Sequence, residues 1–411
     1  MDGVAGAGSS AYSNISRCPC TAWYNSDWTD SCSELCQNGP NSRKPNQDCR
    51  FSNFLAFVAK EIARPERRRG YMESVRGRYV VGVGAALVDL LIEEADPFVA
   101  AMGSPKGGMT LVELAAIESA LKSTKAPLKV VPGGSACNTM VGIGNLGGKA
   151  RMIGRLGKDE LGKVFLEGLG IAGVDHRIRQ SEMATGRVLS VVTPDTQRTM
   201  FTYLGASTQL GPEDVIAADF ADAGIVYLEG YLLFNRPVVE RIVEVAKQAR
   251  SKIVLDLGSY QVVEVCRDFL DQVLPQVDVV LANEDEAKAY TGMAESESLE
   301  ILAGKVHTAA VKLGKHGVML AQGKARHKVE AHLVKAIDTT GAGDLWASGF
   351  VFGLTQGLGL DDSARLGCKV GSEVVQVLGA VIPEAGWKRV HDYRQGLQAK
   401  SPGPKTDAKA H

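Results

Sequence analysis

The sequence predicts an α/β protein: a parallel sheet sandwiched by helices, with a small β-sheet lid. Three observations predict it. Short apolar runs recur along the chain, each followed by a stretch with helical spacing. The links between them are short, and such alternation gives parallel strands covered by helices on both faces. The stretches 128–132 and 186–203 break this rhythm and read as half-exposed strands of a second, smaller sheet.

The elements follow in order. Tyr79-Val80-Val81-Gly82-Val83-Gly84 is a β-branched run closing on glycine, which reads as a buried first strand. Further buried strands are expected at 225–228, 253–255, 279–281 and 309–311. Helices are expected at 135–146, 160–171, 236–249, 284–290, 342–354 and 363–378. The lid is expected from strands near 90–95, 128–132 and 186–203. In the last of these, Val188, Ser190 and Val192 alternate with Leu189 and Val191 before the turn Pro194-Asp195. No internal repeat occurs. One domain is expected over 78–392, preceded by an extension (1–77) and followed by a polar tail (393–411).

Composition narrows the function. With 411 residues, 45% apolar and 23% charged, the chain is long enough for a large core and ordinary for a globular protein. The net charge is −1, from 46 Lys+Arg against 47 Asp+Glu. No global field draws nucleic acid or an anionic membrane, so neither is an expected partner. The longest apolar run is broken by Asp89, which argues against a spanning helix. Cys137, Cys266 and Cys368 stand far apart in apolar surroundings, as suits a reducing, cytoplasmic setting.

The extension has a different character. It holds Cys18, Cys20, Cys32, Cys36 and Cys49, without the paired C-x-x-C rhythm of a zinc site. It is rich in Ser, Asn, Gly and Pro. Only Phe51, Phe54, Leu55, Val58 and Ile62 follow helical spacing, ahead of the arginines in 64–69. It reads as lying outside the fold. An organelle-targeting segment and upstream sequence before a start at Met72 both stay open.

The strongest chemical signal is Asp338-Thr339-Thr340-Gly341-Ala342-Gly343-Asp344, followed by the stripe Leu345, Trp346, Phe350 and Leu354. Small residues at a helix start leave backbone N–H groups open to an anion, and the helix dipole adds positive charge there. An aspartate inside such a site fits a general base that takes a proton from an attacking hydroxyl during phosphoryl transfer. The bland alternative is a helix cap with two ordinary acids. A second signal is Gly133-Gly134-Ser135-Ala136-Cys137-Asn138. Its glycines permit close approach of a ligand, and Asn138 offers a donor and an acceptor to hydroxyls. Glycine-rich helix starts are also common without any ligand. Asn283-Glu284-Asp285-Glu286 is an acidic helix start, suited either to magnesium held through water or to a solvated first turn.

These residues resemble the PfkB, or ribokinase and adenosine-kinase, family of carbohydrate kinases. The Gly133-Gly134-x-x-x-Asn138 block with Gly154-Arg155-Leu156-Gly157-Lys158-Asp159-Glu160-Leu161-Gly162 resembles the first family signature, and 338–344 resembles the second. The resemblance spans about 78–388 and is closest to the adenosine-kinase-like branch, through Ala86-Leu87-Val88-Asp89, Tyr227-Leu228-Glu229-Gly230-Tyr231 and 282–287. It implies a ribokinase-like fold and a transfer of the ATP γ-phosphoryl group to a primary hydroxyl of a nucleoside or sugar. Asp344 would be the base, with Gly341, Ala342 and Gly343 as the anion hole and Arg198 as a lid arginine facing the phosphates. Asp89, Gly133, Gly134, Ser135 and Asn138 would bind the acceptor. Asn283, Lys312, Gly314 and Gly317 would lie on the ATP side. Glu286 would face Mg²⁺ through water, and Asp338 sits where some relatives bind a monovalent cation such as K⁺. His316 reads as a turn residue. The branch usually has asparagine where this chain has Ala85, which weakens the case for adenosine itself.

The expected reading is thus an ATP- and Mg²⁺-dependent kinase of a small-molecule nucleoside or sugar, monomeric or homodimeric. Its rivals are a ribokinase- or fructokinase-type sugar kinase and an inactive kinase-fold scaffold or binding protein. The intact Asp344 with its glycines separates the first two from the last.

Overall fold

A computed structural model describes residues 73–195 and 197–400. The chain runs β1 (Tyr79–Val83), β2 (Leu87–Glu93), α1 (Asp96–Ala101), β3 (Met109–Leu111), α2 (Leu114–Ser123), β4 (Lys129–Gly133), α3 (Ser135–Asn145), β5 (Ala150–Gly157), α4 (Glu160–Ile171), β6 (Asp175–Ser181), β7 (Gly186–Val192) and β8 (Arg198–Tyr203). It continues through β9 (Ala223–Glu229), α5 (Arg236–Gln248), β10 (Lys252–Asp256), α6 (Tyr260–Val265), α7 (Arg267–Val273), β11 (Val279–Asn283), α8 (Glu284–Thr291), α9 (Glu295–Ala303), β12 (Thr308–Lys312), β13 (Val318–Gln322), β14 (Ala325–Val329), α10 (Ala342–Thr355), α11 (Leu360–Val374) and α12 (Glu384–Lys400).

The main sheet has the order β14-β13-β12-β11-β10-β9-β1-β5-β6. From β12 to β6 in that order the neighbours pair in parallel, and β13 and β14 close the other edge as an antiparallel hairpin. Successive strand residues serve opposite faces, as the two-residue period of a strand requires. Val80, Met152, Ile225, Tyr227, Val254 and Leu281 pack with α3, α4, α10 and α11. Val81, Ile153, Val226, Leu228, Leu255 and Val280 pack with α5 to α9. Burial on both faces explains why these strands read as unbroken apolar runs.

The second sheet has the order β3-β8-β7-β2-β4. It is the expected lid, with two differences. Its first strand begins at Leu87, ahead of the expected 90–95, because Val88, Leu90 and Ile92 alternate into the core around Asp89. Asp89 therefore lies inside β2, paired in register with Val131 and Val188, and not at the end of the first strand.

The helix expected at 363–378 runs Leu360–Val374 instead. Asp361 and Asp362 favour an earlier start at its positive end. At its other end the Val375 carbonyl accepts from Ile337 N and Asp338 N (2.7 and 3.3 Å), which draws the chain out of the helix. At the chain ends, Glu73–Val75 form a 3-10 turn with Val75 buried, and Gly77 N donates to Thr355 O (3.0 Å). The last helix continues past 392 with Val390 and Leu397 buried. The described fold thus reaches beyond the expected limits of 78 and 392 at both ends. The N-terminal cysteines and the stretch from Phe51 to Ile62 lie outside the described residues. Among the described residues no helix is long and apolar enough to cross a membrane.

Candidate active site

Four neighbouring strands of the main sheet end on a polar residue at one edge: Glu229 on β9, Asp256 on β10, Asn283 on β11 and Lys312 on β12. The register sets Asp256 beside Glu229 and Lys312 beside Asn283. Ligands of parallel α/β sheets bind outside this carboxyl edge. Two helix starts, those of α3 and α10, meet above it.

Asp344 stands in the first turn of α10. Its Oδ1 accepts from Ser135 Oγ (2.7 Å) and its Oδ2 from Asn138 Nδ2 (2.9 Å). Thr139 Oγ1 donates to the Asp344 carbonyl (3.2 Å). Both helix starts need glycine. Gly134 caps α3 at φ 97, and a Cβ there would lie 2.3 Å from Ala85 O. Gly341 caps α10 at φ 67, and a Cβ there would lie 2.6 Å from Ala380 Cβ. Burial pushes the Asp344 carboxyl above its usual range, and the Asn138 and Ser135 hydrogen bonds pull it back.

The α10 N-terminus is open to an anion, with one change from expectation. The Ala342 N–H is taken by Thr339 O (3.1 Å). Among the described residues, the N–H groups of Gly341, Gly343 and Asp344 have no partner. Donors at this end therefore come from Gly343 and its neighbours rather than from Ala342.

Asp89 reaches the same space from the lid. A Cβ on Gly133 would sit 2.5 Å from its carboxyl carbon, so glycine leaves the carboxyl its room. Burial raises Asp89 to about 7, the Arg198 charge lowers it, and Asp344 and Asp338 raise it further. Arg198, the first residue of β8, is half-buried and within electrostatic reach of Asp89. Asp89, Gly133, Gly134, Ser135, Asn138 and Asp344 are thus brought together. Ser135 and Asn138 are turned to the Asp344 carboxylate.

Asn283 and Glu286 form a capping box on α8. Asn283 Oδ1 accepts from Glu286 N, and the Glu286 carboxylate accepts from Asn283 N and Nδ2, each at 2.8 Å. Burial raises the Glu286 carboxyl, against the nearby Lys312 charge. Among the described residues no cluster of His, Cys, Asp or Glu is arranged to hold a metal ion by itself. The residues present are compatible with Mg²⁺ brought in on nucleotide phosphates: the Glu286 carboxylate keeps lone pairs that would face such an ion through water. Asp338 fits a cation poorly: its carboxylate already accepts from Thr340 N, Thr340 Oγ1 and Gly379 N at 2.5–2.9 Å. It ties the glycine loop down to residue 379. Gly314 and Gly317 take positive φ around the short turn that carries His316, and a Cβ on Gly317 would strike Val329 O at 1.9 Å.

Sequence reasoning missed Glu229 and Asp256 as site residues. Glu229 accepts from Ala85 N (2.7 Å) and Ala136 N (2.9 Å), so it caps α3 from across the sheet. Burial raises it to about 7, and those two N–H groups lower it. Asp256 pairs with Lys312 (3.1 and 2.9 Å) and accepts from Tyr227 OH (3.3 Å). The available signal was a polar residue closing each apolar run, read at the same sheet edge.

A carboxylate held beside an open helix N-terminus, under a small second sheet at the carboxyl edge of a parallel sheet, is an arrangement suited to phosphoryl transfer to an alcohol group. The comparisons agree. Residues 105–385 match the pfkB family of carbohydrate kinases, and the chain belongs to that family. It is 28% identical to a ribokinase of Staphylococcus aureus (strain COL), over 61% of this chain and 84% of the relative. It is also 28% identical to an adenosine kinase of Saccharomyces cerevisiae, over 62% of this chain and 81% of the relative. Among solved structures, it resembles a probable sugar kinase from Rhizobium etli CFN 42 (TM-score 0.72, 33% identity, 78% of this chain and 99% of that one). It likewise resembles an adenosine kinase from Sinorhizobium meliloti (TM-score 0.71, 32% identity, again 78% and 99%). The chain is thus a sugar or nucleoside kinase of the pfkB family using ATP.

Proposed function

We propose that the protein phosphorylates a primary hydroxyl of a ribose-bearing nucleoside, with Asp344 as general base and the open amides at the α10 start as anion hole. The observation that carries the reading is the Asp344 carboxylate, held by Ser135 and Asn138 in the same first turn of α10 whose amides are open. In this scheme the acceptor lies between Asp89 and Asp344, beside Gly133 and Gly134. Asp89 accepts hydrogen bonds from two neighbouring hydroxyls and fixes the sugar. Asp344 takes the proton of the attacking hydroxyl. The oxygen attacks the γ-phosphorus, and the bond to the β–γ bridging oxygen breaks with its electron pair leaving on ADP. Mg²⁺ bound to the nucleotide neutralises phosphate charge. Closure of the lid brings Arg198 over the phosphates and excludes water, the competing acceptor.

The similarity to adenosine kinases supports a nucleoside acceptor, and the similarity to a ribokinase supports ribose itself. Ala85, small and without polar atoms in its side chain, gives a base little to bind, which supports loose discrimination among nucleobases. The test is ADP release across nucleosides, 2′-deoxynucleosides, ribose and fructose with Mg·ATP. Turnover of ribonucleosides above all other acceptors is expected. Preference for a free sugar would replace the nucleoside reading, and no turnover of any acceptor would favour a binding protein.

A further inference from the structure

Lys312 was expected among the residues on the ATP side, without a role in the transfer step, and the structure gives its side chain a distinct position. It runs from the end of β12 to the α10 start. There, a Cβ built on Gly343 would lie 3.3 Å from Nζ. Two of its donor directions are taken by the Asp256 oxygens, at 3.1 and 2.9 Å. Among the described residues its third donor has no partner. The side chain is 12% exposed and that of Asp256 only 4%, so the pair sits in the floor of the site.

We infer that Lys312 is a catalytic residue, its ammonium contacting the γ-phosphoryl group as it leaves ADP, and that Asp256 is its positioning residue. The inference rests on the kinase reading above. The place of the transferred group follows from its two neighbours. The attacking oxygen must lie near Asp344, and the open Gly343 amide marks the phosphoryl oxygens. An in-line transfer puts the leaving oxygen on the side away from the acceptor. The acceptor stands over β1 and β2. The Lys312 side chain comes from β12 and its ammonium is held at the end of β10 by Asp256, on the far side of β9 from β1. It therefore stands on the leaving side of the phosphorus. As the phosphorus–oxygen bond to ADP breaks, its electron pair moves to the bridging oxygen, next to a fixed positive charge.

Two features keep that charge in place. Burial alone would push the Lys312 ammonium toward neutrality, but Asp256 and Glu286 outweigh it and raise the group, and Asp344 adds to them. Asp256 is itself held by Tyr227 OH, so the ammonium is oriented before substrate arrives. Such preorganised charge acts where charge develops, and a residue of this kind shows itself in kcat more than in KM.

The test compares wild type, Lys312→Met, and the double variant Lys312→Met/Asp256→Asn, which removes both buried charges and keeps the volume. Turnover by wild type on the acceptor panel is the gate for the kinase reading; its absence there overturns that reading and this one together. Given wild-type turnover, kcat is expected to fall 10²–10³-fold in both variants. ADP affinity by calorimetry is expected to stay within threefold and the circular dichroism to stay native. If the double variant folds and keeps kcat within threefold of wild type, Lys312 serves only to neutralise Asp256. If KM for ATP rises while kcat holds, it binds substrate and transition state alike. Either result overturns the inference while the kinase reading stands. Should the single variant fail to fold, the double variant decides.

Discussion

Replacing Asp344 by asparagine separates its proposed role as base from its role in the fold. The Asn138 side chain offers an NH₂ donor to Asp344 Oδ2, so the new amide must turn its oxygen that way. Its NH₂ then faces Ser135 Oγ, whose hydroxyl can rotate from donor to acceptor. Both contacts survive. Burial raises the Asp344 carboxyl, so its ionised form costs folding free energy at neutral pH, and that cost disappears in the amide. The variant should melt at or above the wild-type temperature and bind ADP normally. Turnover should fall about 10²–10⁴-fold, the range for a lost general base, which is about 3–5 kcal/mol of barrier. The assay is ADP release at saturating substrates, with a calorimetric ADP titration alongside. The pH profile adds a sign. Wild-type kcat should drop as acid protonates Asp344, and the residual turnover of the variant should be flat over that limb. Turnover within tenfold of wild type, in a variant that binds ADP normally, would refute Asp344 as the base.

Further outcomes follow for Asn138, for Asp89 and for the start of the fold. Asn138→Ala removes a hydrogen bond that favours the charged carboxylate, so the acid limb of kcat should move to higher pH; an unmoved limb would detach Asn138 from the base. Asp89→Ala should raise KM for the acceptor far more than for ATP, and a 2′-deoxy acceptor should lose on the order of 1–3 kcal/mol of binding through an unpaired acceptor. Because burial raises Asp89 to about 7 and its ionised form is the proposed binder of the acceptor hydroxyls, kcat/KM for the acceptor should climb as pH rises through about 7 in wild type, and Asp89→Ala should lose that part of the climb while keeping the limb of Asp344. A chain beginning at Met72 should fold and keep activity. One beginning at Arg78 loses the buried Val75, worth about 1.5–3 kcal/mol, and should melt earlier; equal melting temperatures would show that the turn at Glu73–Val75 contributes nothing.

What was legible in the sequence follows physical lines. The central strands β9 to β12 were readable because two buried faces leave no polar residue inside the run. Strand β6 was not, since Asp175-His176-Arg177-Ile178-Arg179 lies at the sheet edge and carries ion pairs to Asp175 and Asp219 instead of an apolar face. The hairpin of β13 and β14 was missed for a similar reason: Ala325–Val329 is mostly exposed and charged. In the site, Gly134 and Gly341 were legible because backbone at positive φ demands glycine locally. Glu229 was not, because its role comes from residues 144 and 93 positions away, joined only by the sheet. The capping of α8 by Asn283 and Glu286 was not read from the sequence, where the alternative to magnesium was a solvated first turn; Glu286 is instead buried and closes a capping box.

The electrostatic puzzle of an aspartate inside an anion site has a structural answer. Asp344 does not lie alone against the α10 amides, since Ser135 and Asn138 bring the start of a second helix to its carboxylate. That second helix is itself held by a carboxylate, Glu229, through Ala136 N. The floor is therefore a chain of acids and donors: Glu229 fixes α3, α3 fixes Asp344, and Asp256 fixes Lys312. Burial lifts Asp89, Glu229, Glu286 and Asp344 above the usual carboxylate range, opposed by the Arg198 charge at Asp89 and the Lys312 charge at Glu286 and Asp344. Such a site resists a bare polyanion. It suits a nucleotide that arrives with its own divalent cation, and an acceptor that offers hydroxyl protons to the acids. Burial, with the Asp256 charge adding to it, makes Asp344 a stronger proton acceptor than an exposed aspartate, as the proposed base for an alcohol requires.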